Sequence, residues 1–244
     1  MPTENMRPGM NSNETCSLET GEGASSLTSH YTGQAGIEYF RWQNQRAALT
    51  GPIEARKFQP FIRCQDAVLD FGCGAGHILR NLNCARRVGI EANPAAREAA
   101  AALGIEIYGS LRDVKDQSFN VVISNHALEH VENPIGVLRM LRGKLVTSGY
   151  LLIYVPIDDW RAQPTHDPLD INHHLHTWTP QLLGNSLVDA GFNPTQFSLQ
   201  IVTRALFPHA ERAYRRVPNV LFDFLCSLQA LIVKRRQLFA AARL

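Results

Sequence analysis

The chain has 244 residues, of which 45% are hydrophobic and 19% charged, enough for one large domain with its own core. The formal net charge of +2 gives no bulk electrostatic reason to expect nucleic acid as a partner. Five scattered cysteines without zinc-type spacing favour reduced thiols. The sequence shows no leader pattern and no run of ~20 apolar residues, so we expect a cytoplasmic protein.

The N-terminal part of the chain divides at residue 31. Residues 1–30 are rich in Ser, Thr, Asn, Glu and Gly, which predicts a disordered tail. Residues 37–49 carry aromatic side chains at helical spacing, and Gly51-Pro52 is expected to end that helix. A second helical segment is predicted over 53–62. The aromatic helix either caps a ligand pocket or simply packs on the core.

Strands and helices alternate along the rest of the chain, which predicts βαβ units and a parallel sheet. The domain is expected to span 31–244, with a long helical insertion at about 204–236. Helices are predicted between most pairs of strands, each ending near a glycine or opening near a proline. Strands are predicted at 68–70, 87–91, 105–108, 119–124, 149–155 (closed by Pro156), 197–203 and 237–242.

A glycine-rich loop follows the first predicted strand. Asp70 ends that strand, and glycines stand at alternate positions, Gly72-x-Gly74-x-Gly76, before a helix begins. Such glycines let backbone N–H groups approach a ligand closely. An acid at the end of the next strand, Glu91, lies where the two hydroxyls of a ribose would be held.

The loop differs from the G-x-G-x-x-G pattern of dinucleotide sites, which accommodates a pyrophosphate. An acid directly before the glycines, Asp70, would repel a pyrophosphate but suits a ligand that carries an ammonium group. The sequence therefore favours a cationic nucleoside such as S-adenosylmethionine.

Several motifs together resemble the class I S-adenosylmethionine-dependent methyltransferases. Residues 68–76 are similar to their first motif, 89–94 to the ribose-binding motif, and 124–134 to the signature after strand four. Residues 149–153 and 189–192 resemble strand five and the approach to strand six. The resemblance implies an α/β fold, a Rossmann-like three-layer sandwich with a seven-stranded, mostly parallel sheet whose last strand is antiparallel.

The resemblance also implies roles for matching positions. S-adenosyl-L-methionine would be the methyl donor and S-adenosyl-L-homocysteine the product. The glycine loop would run alongside the methionine part, with Asp70 near its amino group. Glu91 would hold the ribose hydroxyls. The segment after strand three would border the adenine, and the segment after strand four would lie beside the sulfonium. The expected cofactor-binding residues are Asp70, Gly72, Cys73, Gly74, Glu91, Ala92, Ser110, Leu111, Asn125 and His126.

Residues 158–178, after strand five, are rich in His and Asp. A histidine can remove the proton of a hydroxyl acceptor, so His173, His174 and His176 are candidate bases or substrate contacts. The stretch could equally be a structural loop. A metal site is a third interpretation, because His and carboxylates are metal-ligand types, but the spacing matches no template and no metal ligand is assigned. The segment from Asp170 to Trp178 resembles uncharacterised bacterial methyltransferases, several of which lie in polysaccharide gene sets.

The predicted insertion contains an amphipathic helix. Leu221, Leu225, Leu228 and Ile232 share one face, and basic residues flank the helix. Three interpretations stay open: a lid over the pocket, a dimer contact, or weak contact with a membrane surface through 217–236.

We therefore expect an S-adenosylmethionine-dependent methyltransferase that O-methylates a small molecule or a sugar or glycan acceptor, with no nucleic acid partner. One alternative is N- or C-methylation of a small metabolite or a lipid-linked substrate. Others are an NAD-dependent oxidoreductase and a non-catalytic S-adenosylmethionine-binding module.

Overall fold

The computed structural model describes residue 31 and the ranges 33–157, 165–233 and 235–244. The predicted tail, 1–30, lies outside the described residues, as do Asp158, Asp159 and Trp160 of the loop after strand five. The helices are α1 (Gly33–Ala55), α2 (His77–Arg80), α3 (Pro94–Ala102), α4 (Pro134–Lys144), α5 (Pro180–Asp189), α6 (Ala210–Tyr214) and α7 (Asn219–Ile232). The strands are β1 (Ala67–Phe71), β2 (Arg86–Ile90), β3 (Glu106–Tyr108), β4 (Phe119–Asn125), β5 (Leu145–Ile157), β6 (Phe197–Val202) and β7 (Arg236–Arg243).

The seven strands form one sheet in the order β3-β2-β1-β4-β5-β7-β6. Strands β1 to β5 pair in parallel. Strand β7 lies between β5 and β6 and is antiparallel to both. The predicted fold class, including the antiparallel last strand, is confirmed. The order reverses at β1 and β4, the point where open sheets of this kind form a ligand crevice.

Both faces of the sheet are covered by helices, which explains why its central strands are almost wholly apolar. Successive residues of a strand point to opposite faces. Leu69 accordingly packs with α4 and α5 in one core cluster, whereas its neighbour Val68 packs with α2 and α3 in the other.

Two predicted boundaries are wrong. Helix α1 does not stop at Gly51-Pro52 but continues to Ala55. Gly51 is buried against α2, where a Cβ would lie 2.8 Å from the carbonyl oxygen of His77. Burial of Ile53 beyond the proline holds the last turn in place. Strand β5 starts earlier and runs through Pro156 to Ile157, because its ladder with β7 extends that far.

Helices α6 and α7 occupy the predicted insertion between β6 and β7. Helix α7 buries Phe222, Cys226 and Ala230, and the first two pack in a cluster with Ile53 of α1. Its predicted apolar face instead points to solvent, and large side chains there are 45 to 69% exposed: Leu221, Phe224, Leu228, Leu231 and Ile232. Among the described residues, no helix is both long enough and apolar enough to cross a membrane.

Candidate active site

A cavity opens at the carboxyl ends of β1, β2 and β4. It is lined by Tyr31, Tyr39, Gln43, Phe71, Gly72, Gly74, Ile90, Glu91, Ala92, Gly109, Ser110, Leu111, His126, Ala127, His130 and Val131. Seven of the ten residues predicted to bind the cofactor are in this lining; Asp70, Cys73 and Asn125 are not.

Asp70 lies at the end of β1, directly before the lining residues Phe71 and Gly72, and is only 1% exposed. Its Oδ1 accepts no hydrogen bond from any described residue. Burial raises the pKa of Asp70 well above its usual range, and the charge of Glu91 raises it further. An ionised carboxylate in this position is stabilised by a cationic donor, which an ammonium group would supply.

The glycine loop leaves its backbone open to the cavity. Gly72 has φ of 74°, and a Cβ there would lie 2.4 Å from the Cβ of Ala127. Gly74 has φ of 55°, a conformation that other residues adopt rarely. Cys73 points the other way, because a Cβ on Gly89 of β2 would lie 2.5 Å from its sulfur. Its side chain therefore packs on the sheet, and only its backbone belongs to the loop.

Glu91 is placed by hydrogen bonds on both of its oxygens. Its Oε2 accepts from the Gly74 N–H at 2.9 Å and its Oε1 from the Asn93 N–H at 2.8 Å. Burial raises the pKa of Glu91, and these N–H donors partly offset that effect. Arg97 donates to the carbonyl oxygens of Glu91 and Ala92 at 2.9 and 2.6 Å, which fixes this segment beside the cavity.

Two further walls close the cofactor half of the cavity. Ser110 and Leu111 follow β3, where Ser110 caps a short 3₁₀ turn by accepting from the Arg112 N–H at 3.2 Å. On the opposite side, α1 contributes Tyr39 and Gln43, whose side chains bond to each other at 3.2 Å. Helix α1 therefore both lines the pocket and packs on the core.

Asn125 ends β4 beside the cavity, and its Oδ1 accepts from Lys57 Nζ at 2.8 Å. Lys57 in turn lies 2.5 Å from Glu54 Oε2 and 4.2 Å from the ring centroid of Tyr154. Burial lowers the pKa of Lys57, although the charge of Glu54 opposes the change. Asn125 is thus held by a buried ion pair at the end of α1.

Two histidines line the other end of the cavity. His126 has φ of 55°, and its Nδ1 lies 3.4 Å from Oε1 of Glu129. His130 Nε2 lies 3.8 Å from the same oxygen. Glu129 is fully buried, and neither of its oxygens accepts a hydrogen bond from the part of the chain that the structure describes. Burial lowers the pKa of His130, which favours the neutral imidazole.

The three candidate bases of the sequence do not line the cavity. His173 has φ of 49°, and its backbone N–H donates to Asp170 Oδ2 at 3.0 Å. His174 is exposed, and its ring centroid lies 5.0 Å from that of His130. His176 donates from Nε2 to the carbonyl oxygen of Val131 at 2.8 Å, so this nitrogen has no lone pair for a proton.

Residues 41–196 match the family described as methyltransferase domain, which is more than half of the chain. The chain belongs to this methyltransferase family. An uncharacterized methyltransferase of Schizosaccharomyces pombe is 38% identical over a stretch that covers 32% of this chain. This chain spans only 37% of the length of that relative.

Solved methyltransferase structures share the fold of this methyltransferase at low identity. A possible histamine N-methyltransferase of Thermotoga maritima superposes with a TM-score of 0.58 at 17% identity, covering 85% of this chain and 95% of its own. A putative methyltransferase of Haloferax volcanii gives 0.61 at 16% identity, covering 90% and 98%. Phosphoethanolamine N-methyltransferase 2 of Haemonchus contortus, solved with S-adenosyl-L-methionine, gives 0.56 at 15% identity, covering 90% and 60%.

The family match confirms the predicted methyltransferase domain, the class for which S-adenosylmethionine is the expected cofactor. The residues of this methyltransferase fit that cofactor. The unpartnered Asp70 Oδ1 suits its ammonium, the paired oxygens of Glu91 suit its ribose, and the open loop at Gly72 and Gly74 leaves room for its methionine chain.

Sequence reasoning missed several residues of the methyltransferase site. Tyr31 and His130 line the cavity, and Arg97 braces Glu91, yet none of them was singled out for these roles. One local signal was available: His126, Glu129 and His130 stand at i, i+3 and i+4, a spacing that places side chains close together on one turn.

Proposed function

We propose that this methyltransferase O-methylates a small hydroxyl compound, with sugars and glycans as the first acceptors to examine. The support is the pairing of His126 with the buried carboxylate of Glu129 at the acceptor end of the cavity. A hydroxyl must lose its proton as it attacks, and such a pair can accept that proton. Amine and carbon acceptors are the alternatives.

In this proposal the cofactor supplies a methyl group on a sulfonium and leaves as S-adenosylhomocysteine. Asp70 holds its ammonium, Glu91 holds the two ribose hydroxyls, and Ser110 and Leu111 border its adenine. Asn125, whose side chain is held by Lys57, would lie beside the sulfonium. Tyr39 and Gln43 of α1 help to exclude water, so that positioning and desolvation supply much of the rate.

The base in this proposal is His126 rather than one of the three loop histidines. A carboxylate 3.4 Å from Nδ1 favours the tautomer with its hydrogen on that nitrogen. The lone pair then lies on Nε2, and His126 lines the cavity. As the acceptor oxygen forms its bond to the methyl carbon, the C–S bond breaks toward sulfur and the hydroxyl proton passes to Nε2.

Turnover on an acceptor panel tests the proposal. The panel contains sugars, phenols and aliphatic amines, and S-adenosylhomocysteine release is measured. We expect hydroxyl compounds to react and His126→Gln to lower kcat about a hundredfold or more, with unchanged S-adenosylhomocysteine affinity. His176→Gln, whose ring bonds to backbone, is the comparison and should retain most of the rate. Methylation of amines alone would refute the oxygen acceptor.

A second candidate concerns acceptors that reside in membranes. The exposed apolar face of α7, Leu221 to Ile232, covers one side of the helix and is flanked by exposed arginines at 212, 215, 216, 235 and 236. The one acid within α7, Asp223, pairs with Arg56 at 2.9 Å. An apolar stripe with basic borders suits an anionic lipid surface. We propose that α7 docks there and brings the site to a lipid-linked acceptor.

Cosedimentation with vesicles tests this docking. We expect binding to phosphatidylserine-containing vesicles, weaker binding at high salt, and loss in the double variant F224S/L231S. The matched control is L49S, because Leu49 is 58% exposed on α1. Failure to bind anionic vesicles overturns the docking. If sedimentation shows that the wild type is a dimer and that the double variant is a monomer, the apolar face of α7 binds a second copy of this chain instead of a membrane.

A further inference from the structure

Glu129 carries a buried carboxyl group that receives no hydrogen bond from the described residues. Its side chain is 0% exposed, and both oxygens lack a hydrogen-bond partner among the described residues. An ionised carboxylate in such a position is costly unless a cation lies against it. The Nδ1 of His126 and the Nε2 of His130 lie 3.4 and 3.8 Å from Oε1 of Glu129, and neither donates a hydrogen bond to it. A cation bound by these groups would compensate the carboxylate.

The tautomer of His130 follows from its contact with Tyr31. The Tyr31 hydroxyl lies 2.5 Å from the carbonyl oxygen of Asn172, which can only accept, so the hydroxyl donates its single hydrogen there. It must then accept from His130 Nδ1, 2.7 Å away. The hydrogen of the neutral ring is consequently on Nδ1, and Nε2 carries a lone pair toward Glu129. A hydrogen bond of this kind is the usual support of a metal-binding histidine.

His174 is brought to the same place by backbone contacts. The N–H groups of Leu175 and His176 both donate to the carbonyl oxygen of Glu129, at 2.8 and 3.1 Å. These bonds fasten the loop to the 3₁₀ turn that carries Glu129 and His130. One ligand atom from each of Glu129, His130 and His174 can be chosen so that all three lie within 4.8 Å of one another. Two ligands of a tetrahedral ion, each at ~2.1 Å, are about 3.4 Å apart, so these side chains would draw together by up to about 1.4 Å on binding an ion.

We propose that Glu129, His130 and His174 bind a divalent transition metal ion at the wall of the cavity. Two imidazoles and one carboxylate suit Zn²⁺, Co²⁺ or Mn²⁺ better than Mg²⁺ or Ca²⁺, which prefer oxygen. Three protein ligands leave coordination positions open, and the exposed His174 gives the ion a path from solvent. Because His130 lines the cavity, the ion would lie where it can contact an acceptor hydroxyl and raise its acidity.

The sequence alone did not predict this site, because His174 is 44 positions from His130 and the spacing fits no metal template. Metal binding itself does not depend on the proposed function; only the role toward a hydroxyl rests on it. The ion would complement His126, which still receives the hydroxyl proton.

Calorimetric titration of the untagged, chelator-treated chain with Zn²⁺ tests the site, without cofactor or acceptor. We expect one ion per chain, more than tenfold weaker binding in E129Q and H174Q, and up to about tenfold weaker binding in Y31F, which removes the support of His130. H209Q changes an exposed histidine outside the site and should bind as the wild type.

Since His174 is exposed, H174Q is expected to fold even if E129Q does not. Absence of Zn²⁺ binding, or equal binding by H174Q and H209Q, would overturn the metal site and leave the methyl-transfer proposal intact. Conversely, an intact Zn²⁺ site in a chain that methylates only amines would refute the oxygen acceptor and leave the metal site standing.

Discussion

At the scale of single residues, the cofactor half of the site is organised by two carboxylates on neighbouring strands. Asp70 is the second-last residue of β1 and Glu91 directly follows β2, and the charge of Glu91 adds to the burial that raises the pKa of Asp70. The two acids therefore disfavour each other until a ligand supplies positive charge and hydroxyl donors. This explains why the same acids would repel a pyrophosphate.

Glu91→Ala tests the ribose role. The substitution removes both acceptor oxygens and releases the Gly74 and Asn93 N–H groups, so S-adenosylhomocysteine should bind about ten- to a hundredfold more weakly. Calorimetry measures this directly. Glu106→Ala, which removes a carboxylate that pairs with Arg86 at the surface, is the control. Wild-type affinity in Glu91→Ala would remove Glu91 from the ribose site.

The residues predicted from sequence are those that follow strand ends, because an acid or glycine there has a local pattern. Contacts between residues that are far apart in the sequence leave no such local pattern. Nothing near Asn125 in the sequence indicates that Lys57 holds it, and nothing near Tyr31 indicates its bond to His130, 99 positions away. For the same reason the sequence placed the base in the histidine-rich loop, whereas the cavity is lined by His126 and His130.

At the scale of elements, the end of α1 is tied to the rest of the fold by a buried cluster of charges. Glu54 lies between Lys57 and Arg204, at 2.5 and 3.3 Å. Burial alone would raise the pKa of Glu54, but these two cations together lower it to about 2. Helix α1 continues past Pro52 to reach this cluster, which local rules for Gly and Pro could not predict.

The lowered pKa of Glu54 predicts a loss of stability in acid. Its contribution is complete above the unfolded pKa of ~4.3, falls as the pH drops below that value, and is gone below about 2. Over this pH window the unfolding free energy of the wild type should therefore fall by roughly 3 kcal/mol more than that of Glu54→Gln. Urea denaturation at several pH values measures the difference. Glu98→Gln, at an exposed position on α3, should follow the wild type; an identical pH profile for Glu54→Gln would contradict the assignment.

At the scale of the whole molecule, the strand and helix periodicities predicted a parallel sheet of βαβ units, and the family resemblance implied the seven-stranded sheet with its antiparallel last strand. They did not predict how α7 packs. Its sequence has one broad apolar face, and the structure leaves most of that face exposed. The residues that face the core are Phe222 and the smaller Cys226 and Ala230. The amphipathic pattern alone could not indicate which face would be covered, because that depends on the shape of the surface provided by α1.

Cofactor binding should stabilise the whole domain. S-adenosylhomocysteine at a hundredfold excess over its Kd contributes ~2.7 kcal/mol, which raises the melting temperature by about 5–10 °C in a domain of this size. Thermal unfolding with and without the ligand measures the shift, and NAD serves as the control. A shift with NAD and none with S-adenosylhomocysteine would be incompatible with the ligand assigned to the glycine loop.

The position of β7 also determines how the sheet can open. Strand β6 is joined to the other strands only through β7, whose ladder to β5 contains eight residue pairs. Any fluctuation that detaches β7 therefore detaches β6, whereas β6 can separate by itself. In native-state hydrogen exchange, the amides of β6 that face β7 should exchange at least as fast as the β7 amides that face β5. The edge of the sheet thus reports on local opening, and the β5–β7 ladder reports on the opening of the domain.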